Sequence, residues 1–297
     1  MAKIFEGIAT ALATTMLEDG SLDIESYRNL LKMQFENGVN ALVVAGTTGE
    51  GSTLSMDEKI ELLKVSIEER GNRDCPLILG TGTNNTKTTI ENSIIAKENG
   101  ADAVLLVTPY YNKTSQLGLI AHYHAVADSV DIPIILYNVP GRTVMTIAPE
   151  TVGKLAAHPN IVGLKDATGD MKYMESVRKE ISGNTDFALF SGDDGTFFDF
   201  LVHGGDGVIS VLTNCLPEAF AREYRLFGEG KIAEARELQN GLNPFIKALF
   251  SDVSPTPVKA VLKNMGYGEE HLRLPLIPTT DEVRENVISL YNKAVNL

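Results

Sequence analysis

The chain has 297 residues, with 39 acidic against 26 basic side chains and a formal net charge of −13. With 43% hydrophobic and 22% charged residues it is an ordinary globular composition, long enough for a large core without disulfides or a structural metal. Its acidity repels nucleic-acid backbones and anionic membranes, no apolar run approaches the ~18 residues that span a bilayer, and Cys75 and Cys215 make neither a disulfide framework nor a zinc spacing. A cytoplasmic protein with no nucleic-acid or membrane partner is therefore expected.

Taken in chain order, the N-terminal stretch has one lysine, an apolar run and Glu6, and reads as a strand rather than a signal peptide. Short runs rich in Val, Ile and Leu then recur at residues 7–14, 39–46, 76–82, 101–109, 133–140, 161–168, 187–194 and 206–213, eight in all. Helical stretches separate them. Between the first two runs, Tyr27, Leu30, Leu31, Met33 and Phe35 approximate a helical stripe. After the second, Ile60, Leu63 and Ile67 recur at helical spacing, with Gly71 as the stop. Gly100 plays the same part after the third.

Near-continuous apolar strands alternating with helices imply a parallel sheet buried on both faces. Eight such units predict an α/β fold, a closed (β/α)8 TIM barrel over residues 1–225, with an open doubly wound sheet as the alternative. Past Thr213 the strand pattern stops, and residues 226–297 are expected to form a C-terminal helical extension packed on the barrel or on a neighbouring chain.

In such barrels the reactive groups lie at the C-terminal ends of the strands. Lys165 follows Ile161, Val162, Gly163 and Leu164, so its amine emerges from an apolar strand. Alternation puts Ile161, Gly163 and Lys165 on one side, where Gly163 would leave room for the lysine stem. An amine held away from water favours its neutral form, which can attack a carbonyl to give a Schiff base. The competing possibilities are a lysine reaching out of the barrel mouth and one paired with Asp166. Tyr137 closes the fifth strand, where a phenol can donate and accept a proton, although strand-end tyrosines are more often core residues. The Thr47-Thr48 turn offers hydroxyls and backbone N–H groups to a small carboxylate. Arg142 is a bidentate carboxylate partner in type, or else a structural cap.

Other features are discounted. His122 and His124 stand two apart in a helix and share no face, so neither a metal pair nor a metal-dependent aldolase is expected. Asp193-Asp194 and the segment from His203 to Gly207 read as tight turns rather than magnesium or phosphate sites.

The residues that remain carry a resemblance. Gly46-Thr47-Thr48-Gly49-Glu50, Tyr137-Asn138-Val139-Pro140 and the run Gly163 to Asp170 resemble the pyruvate-dependent class I aldolase superfamily. Within it the chain is similar to the dihydrodipicolinate synthases. Pro109 to Asn112, Gly192 to Asp194, Gly207 to Val211 and Pro255 to Lys259 match in the same order, so the resemblance covers nearly the whole chain.

The resemblance implies that pyruvate forms a Schiff base on Lys165, with Tyr137 as proton donor and acceptor. It makes Thr47 a relay to Tyr111 of an adjacent subunit. Thr48, the main chain at Ile209 and Gly192 would hold pyruvate, and Arg142 the carboxylate of L-aspartate 4-semialdehyde. It implies a homotetramer built as a dimer of dimers and no metal or organic cofactor. Arg142 within the Tyr137–Thr143 pattern separates this branch from the sialic acid lyases and keto-deoxy-sugar aldolases. Those remain the alternative activity, and a non-catalytic carboxylate-binding barrel the alternative of another class.

The sequence also departs from the family. Thr14-Thr15-Met16 stands where many members have Thr-Pro and an aromatic residue, and Ser254-Pro255 replaces Asn-Pro. Met56 and Lys59 occupy positions that carry histidines in lysine-inhibited members, so weak or absent lysine feedback is expected.

Overall fold

The computed structural model describes residues 3–184 and 186–297. Its strands are β1 (Gly7–Ala11), β2 (Ala41–Val44), β3 (Leu77–Gly80), β4 (Ala103–Val107), β5 (Ile134–Asn138), β6 (Ile161–Asp166), β7 (Ala188–Ser191) and β8 (Gly207–Ser210). They form a closed barrel in the order β1 to β8, as expected from the eight apolar runs. The helices between them are α1 (Ile24–Glu36), α2 (Met56–Arg70), α3 (Thr86–Glu98), α4 (Gln116–Ser129), α5 (Pro140–Thr143), α6 (Pro149–Ala156), α7 (Met171–Glu180) and α8 (Phe197–Val202). The C-terminal helical part follows as α9 (Pro217–Gly228), α10 (Ile232–Leu249), α11 (Thr256–Met265) and α12 (Asp281–Ala294). Met1 and Ala2, at the start of the predicted N-terminal strand stretch, lie outside the described residues.

Two compact units make up the chain. The first comprises residues 1–6 and 76–209. Here β4, β5, β6 and β7 pair in parallel so that Val107, Tyr137, Lys165 and Phe190 share one register level. Phe190 is fully buried and stacks on Phe5, with ring centroids 4.1 Å apart, while Lys3 donates to Asp206 at 2.5 Å. The segment His203 to Gly207 is a tight turn. The Arg178 guanidinium donates to the carbonyls of His203 and Gly204, and the Asp206 carboxylate accepts the Leu189 N–H at 2.7 Å.

The second unit comprises residues 7–75 and 210–297. In α1 the buried face is Tyr27, Leu30, Leu31, Met33 and Gln34. Phe35 is only half-buried, and the Arg73 guanidinium lies over its ring. Gln34 replaces it because its amide is fully engaged. Its carbonyl accepts from the Thr10 hydroxyl at 2.5 Å and its NH2 donates to the Thr213 carbonyl at 2.9 Å, which removes the cost of burying it. In α2 Ile60 and Leu63 are buried, but Ile67 is half-buried and its place is taken by Leu62, Val65 and Ser66. Gly71 caps α2 with φ +56°, and Gly100 follows α3 with φ +88°.

Candidate active site

Lys165 and Tyr137 occupy paired positions of β6 and β5, and both are buried, Lys165 at 5% exposure. The lysine Nζ lies 4.5 Å from the centroid of the Tyr137 ring. The amine therefore neither extends into solvent nor pairs with its neighbour Asp166. That carboxylate faces the other way and accepts from Asn138 Nδ2 at 2.9 Å and from the Thr168 hydroxyl at 2.6 Å. Burial pushes the Asp166 carboxyl up to about 6, against the pull of those two donors.

The room for the lysine stem comes from a different glycine than expected. A Cβ at Gly163 would meet the Ala188 carbonyl oxygen at 2.9 Å and the Phe190 ring at 3.5 Å, so that space is filled by β7. A Cβ at Gly192 would come within 3.0 Å of Lys165 Cε and 2.9 Å of Ala167 Cβ. Gly192 is thus the residue whose missing side chain admits the lysine. Ile209, in β8, is 1% exposed.

Arg142 is exposed on the single-turn helix α5. The turn is pinned by Thr143, whose Oγ1 accepts from the Thr108 hydroxyl at 2.9 Å and from the Met145 N–H at 3.3 Å. Asn138 Oδ1 accepts the Ile147 N–H at 3.1 Å just beyond it. Tyr111 has φ +67° and is 93% exposed, so nothing in its own chain covers the phenol.

In the other unit, Thr48 is buried and Thr47 exposed on a loop folded tightly enough that Gly51 N–H bonds the Gly46 carbonyl at 3.0 Å. The Thr14 hydroxyl donates to the Gly49 carbonyl at 2.7 Å, and Thr15 to the Asp23 carbonyl at 2.7 Å. The unusual Thr14-Thr15 pair therefore braces the loop and the entry to α1. The loop ends on a buried ion pair between Glu50 and Lys259 of α11. Arg273 closes the network. Its N–H donates to Glu50 Oε2 at 3.1 Å and its guanidinium grips Glu58, whose carboxyl is held down to about 2 chiefly by that contact.

Among the described residues no group of three or more His, Cys, Asp or Glu side chains is placed to hold a metal ion, and no helix is long and apolar enough to cross a membrane. His122 instead bonds the Thr86 hydroxyl at 2.9 Å, and the ring of His124 lies 5.8 Å from that of His158.

The sequence model of the dihydrodipicolinate synthetase family matches residues 4–294. The chain belongs to this family. It is 46% identical to the 4-hydroxy-tetrahydrodipicolinate synthase of Macrococcus caseolyticus, over 97% of this chain and 96% of the relative. The crystal structure of dihydrodipicolinate synthase from Thermotoga maritima has a TM-score of 0.96 at 40% identity, covering 99% of this chain and 100% of the other. A structure described as a monomeric dihydrodipicolinate synthase variant has the same score and identity, covering 99% and 98%.

Sequence reasoning missed several residues around this family's motifs. The sequence offers Asp166 only as a possible partner for Lys165, gives Asn138 no part beyond its matching run, and gives Thr108 and Thr143 none in holding α5. One signal was available: Asn138 and Asp166 each follow the inward-pointing residue of adjacent strands, so alternation places two polar groups on the same outer face. The Glu50–Lys259 pair left none, since 209 residues separate the partners.

Proposed function

We propose that the chain is a Schiff-base lyase that condenses pyruvate with L-aspartate 4-semialdehyde to 4-hydroxy-tetrahydrodipicolinate, in lysine and diaminopimelate synthesis. The observation that carries this reading is the buried Lys165 amine set 4.5 Å from the Tyr137 ring centroid, in a chain of this family. The Lys165 amine adds to the C2 carbonyl of pyruvate and water leaves, giving an imine whose nitrogen serves as the electron sink. Loss of a C3 proton gives the enamine, which attacks the semialdehyde carbonyl. Attack of the product's own amine on the imine carbon then closes the ring and releases Lys165.

Tyr137 carries the protons, and Thr47 relays them to Tyr111. A phenol that is 93% exposed is well suited to reach a second copy, and we propose a homotetramer in which each Tyr111 serves its neighbour. Thr48, the Ile209 main chain and Gly192 hold pyruvate, and Arg142 receives the semialdehyde carboxylate. Both cysteines are buried thiols, which suits the cytoplasmic setting we propose.

The test is to incubate the enzyme with pyruvate, reduce with borohydride and map the adduct by mass spectrometry. An adduct on Lys165 is expected; none, or one on another lysine, overturns the reading. Turnover with the semialdehyde, and none with sialic or keto-deoxy-sugar acids, then fixes the partner. Sedimentation analysis of the assembly, with activity of mixed Tyr111→Phe and Lys165→Ala subunits, tests the shared site.

A further inference from the structure

Strand β5 meets β6 through an irregular start. Ile134 pairs with Ile161 but Ile135 pairs with Gly163, so β6 has one extra residue there. The beginning of the two strands thus does not dictate the register farther along. A slip of one residue beyond the irregularity would turn Lys165 out of the interior face. Something past it has to fix the register at Tyr137 and Lys165.

Asn138 and Asp166 are the next registered pair, fully buried and 3% exposed. Their side chains leave the sheet on the face opposite Tyr137 and Lys165. Asn138 Nδ2 donates to Asp166 Oδ1 at 2.9 Å, a bond that runs directly between the two strands. Every polar side-chain atom of the pair has a partner. Asn138 Oδ1 accepts the Ile147 N–H at 3.1 Å, and Asp166 Oδ2 accepts the Thr168 hydroxyl at 2.6 Å. The Ile147 carbonyl in turn accepts from the Tyr173 hydroxyl at 2.7 Å. One side-chain pair therefore ties together β5, β6 and the far end of the segment that carries Arg142.

We propose that Asn138 and Asp166 are positioning residues: their hydrogen bond locks the β5–β6 register that sets Tyr137 against Lys165 and anchors the Arg142 turn. The proposal rests on the lyase reading above. Neither residue touches substrate. Misplacement of reacting groups by about 1 Å costs on the order of 10²-fold in rate. Losing the lock therefore lowers kcat by about that factor and raises KM for the semialdehyde more than KM for pyruvate.

Reversing the pair supplies the test. Asn138→Asp alone sets two carboxylates against each other and should lower kcat about 10²-fold. The double variant Asn138→Asp/Asp166→Asn restores every bond in reverse. Asn at 166 donates to Asp at 138 and still accepts from Thr168, while Asp at 138 still accepts the Ile147 N–H. Recovery of kcat to within a few-fold of wild type supports the lock. A double variant no better than the single, with both folded by circular dichroism, overturns it, as does a fully active single variant. If the single variant fails to fold, Asn138→Ala serves in its place. Hydrogen exchange at the Ala167 amide, which donates to the Asn138 carbonyl across the two strands at 2.9 Å, reads the lock without catalysis: protection should fall in the single variant and return in the double. Absence of a borohydride-trapped pyruvate adduct on Lys165 in the wild type would defeat the lyase reading instead, and the Ala167 amide would still decide whether the lock exists.

Discussion

Lys259→Met isolates the contribution of the ion pair that ends the Thr47–Glu50 loop. Both partners are withdrawn from water, Lys259 at 2% and Glu50 at 3% exposure, so removing the ammonium leaves a buried carboxylate short of a partner. Breaking such a pair costs roughly 3–5 kcal/mol. The Arg273 N–H still reaches Glu50 Oε2 at 3.1 Å, which places the expected loss at the lower end, about 3 kcal/mol. That is a fifth or more of the whole stability of a typical domain, and at ~2–4 °C per kcal/mol it lowers Tm by roughly 6–12 °C. Thermal and urea unfolding of Lys259→Met, Glu50→Gln and the double variant form a double-mutant cycle. The double variant should lose clearly less than the two singles added together, because each single strands the other partner. A Lys259→Met loss below about 1 kcal/mol, or strict additivity, would show that the pair is not the anchor described.

Gly192→Ala places a methyl group within 3.0 Å of Lys165 Cε and 2.9 Å of Ala167 Cβ. Overpacking of this kind costs about 1–3 kcal/mol, so trapping of pyruvate on Lys165 should slow by roughly 5- to 150-fold; an unchanged rate would mean the stem has other room. Asp166 gives a pH signature. Its folded value of about 6 lies above the ordinary aspartate value of 3.8, so the native state keeps a proton that the unfolded chain releases, and stability falls as pH rises between those values. The stability of Asp166→Asn relative to wild type should rise over the same window and level off above about pH 7; a difference independent of pH would remove the basis for this. Free lysine at submillimolar concentration should leave the rate almost unchanged, because Met56 offers no polar ligand and Lys59 a like charge; strong inhibition in the enzyme assay counts against that.

The barrel could be read from the sequence because the hydrophobic effect writes it there locally. Each strand is a short apolar run, and Gly71 and Gly100 mark helix ends within reach of their own helices. Lys165 was conspicuous for the same reason, as a charge emerging from such a run. What could not be read is polar burial satisfied at long range. Gln34 is absent from the apolar stripe of its helix, yet Thr10 and Thr213 supply the partners that let it be buried. Asn214 bonds the Ala11 carbonyl and the Ala13 N–H from two hundred residues away. Space is equally non-local: the expected vacancy at Gly163 is closed by the Ala188 carbonyl, and the useful one lies on the next strand's exit at Gly192.

The stack of Phe5 on Phe190 and the bond from Lys3 to Asp206 also bear on synthesis. Lys3 and Asp206 lie 203 residues apart. At ~5–20 residues per second of translation, the leading segment waits on the order of ten seconds or more before its partners exist. Until then Phe5 has no ring to rest on, and the register level of Phe190, Lys165 and Tyr137 is unfinished beneath. Pairings of such high contact order form late and slowly. Until Phe190 is made, the nascent chain therefore carries an uncovered aromatic residue, a target for chaperones and for self-association alike.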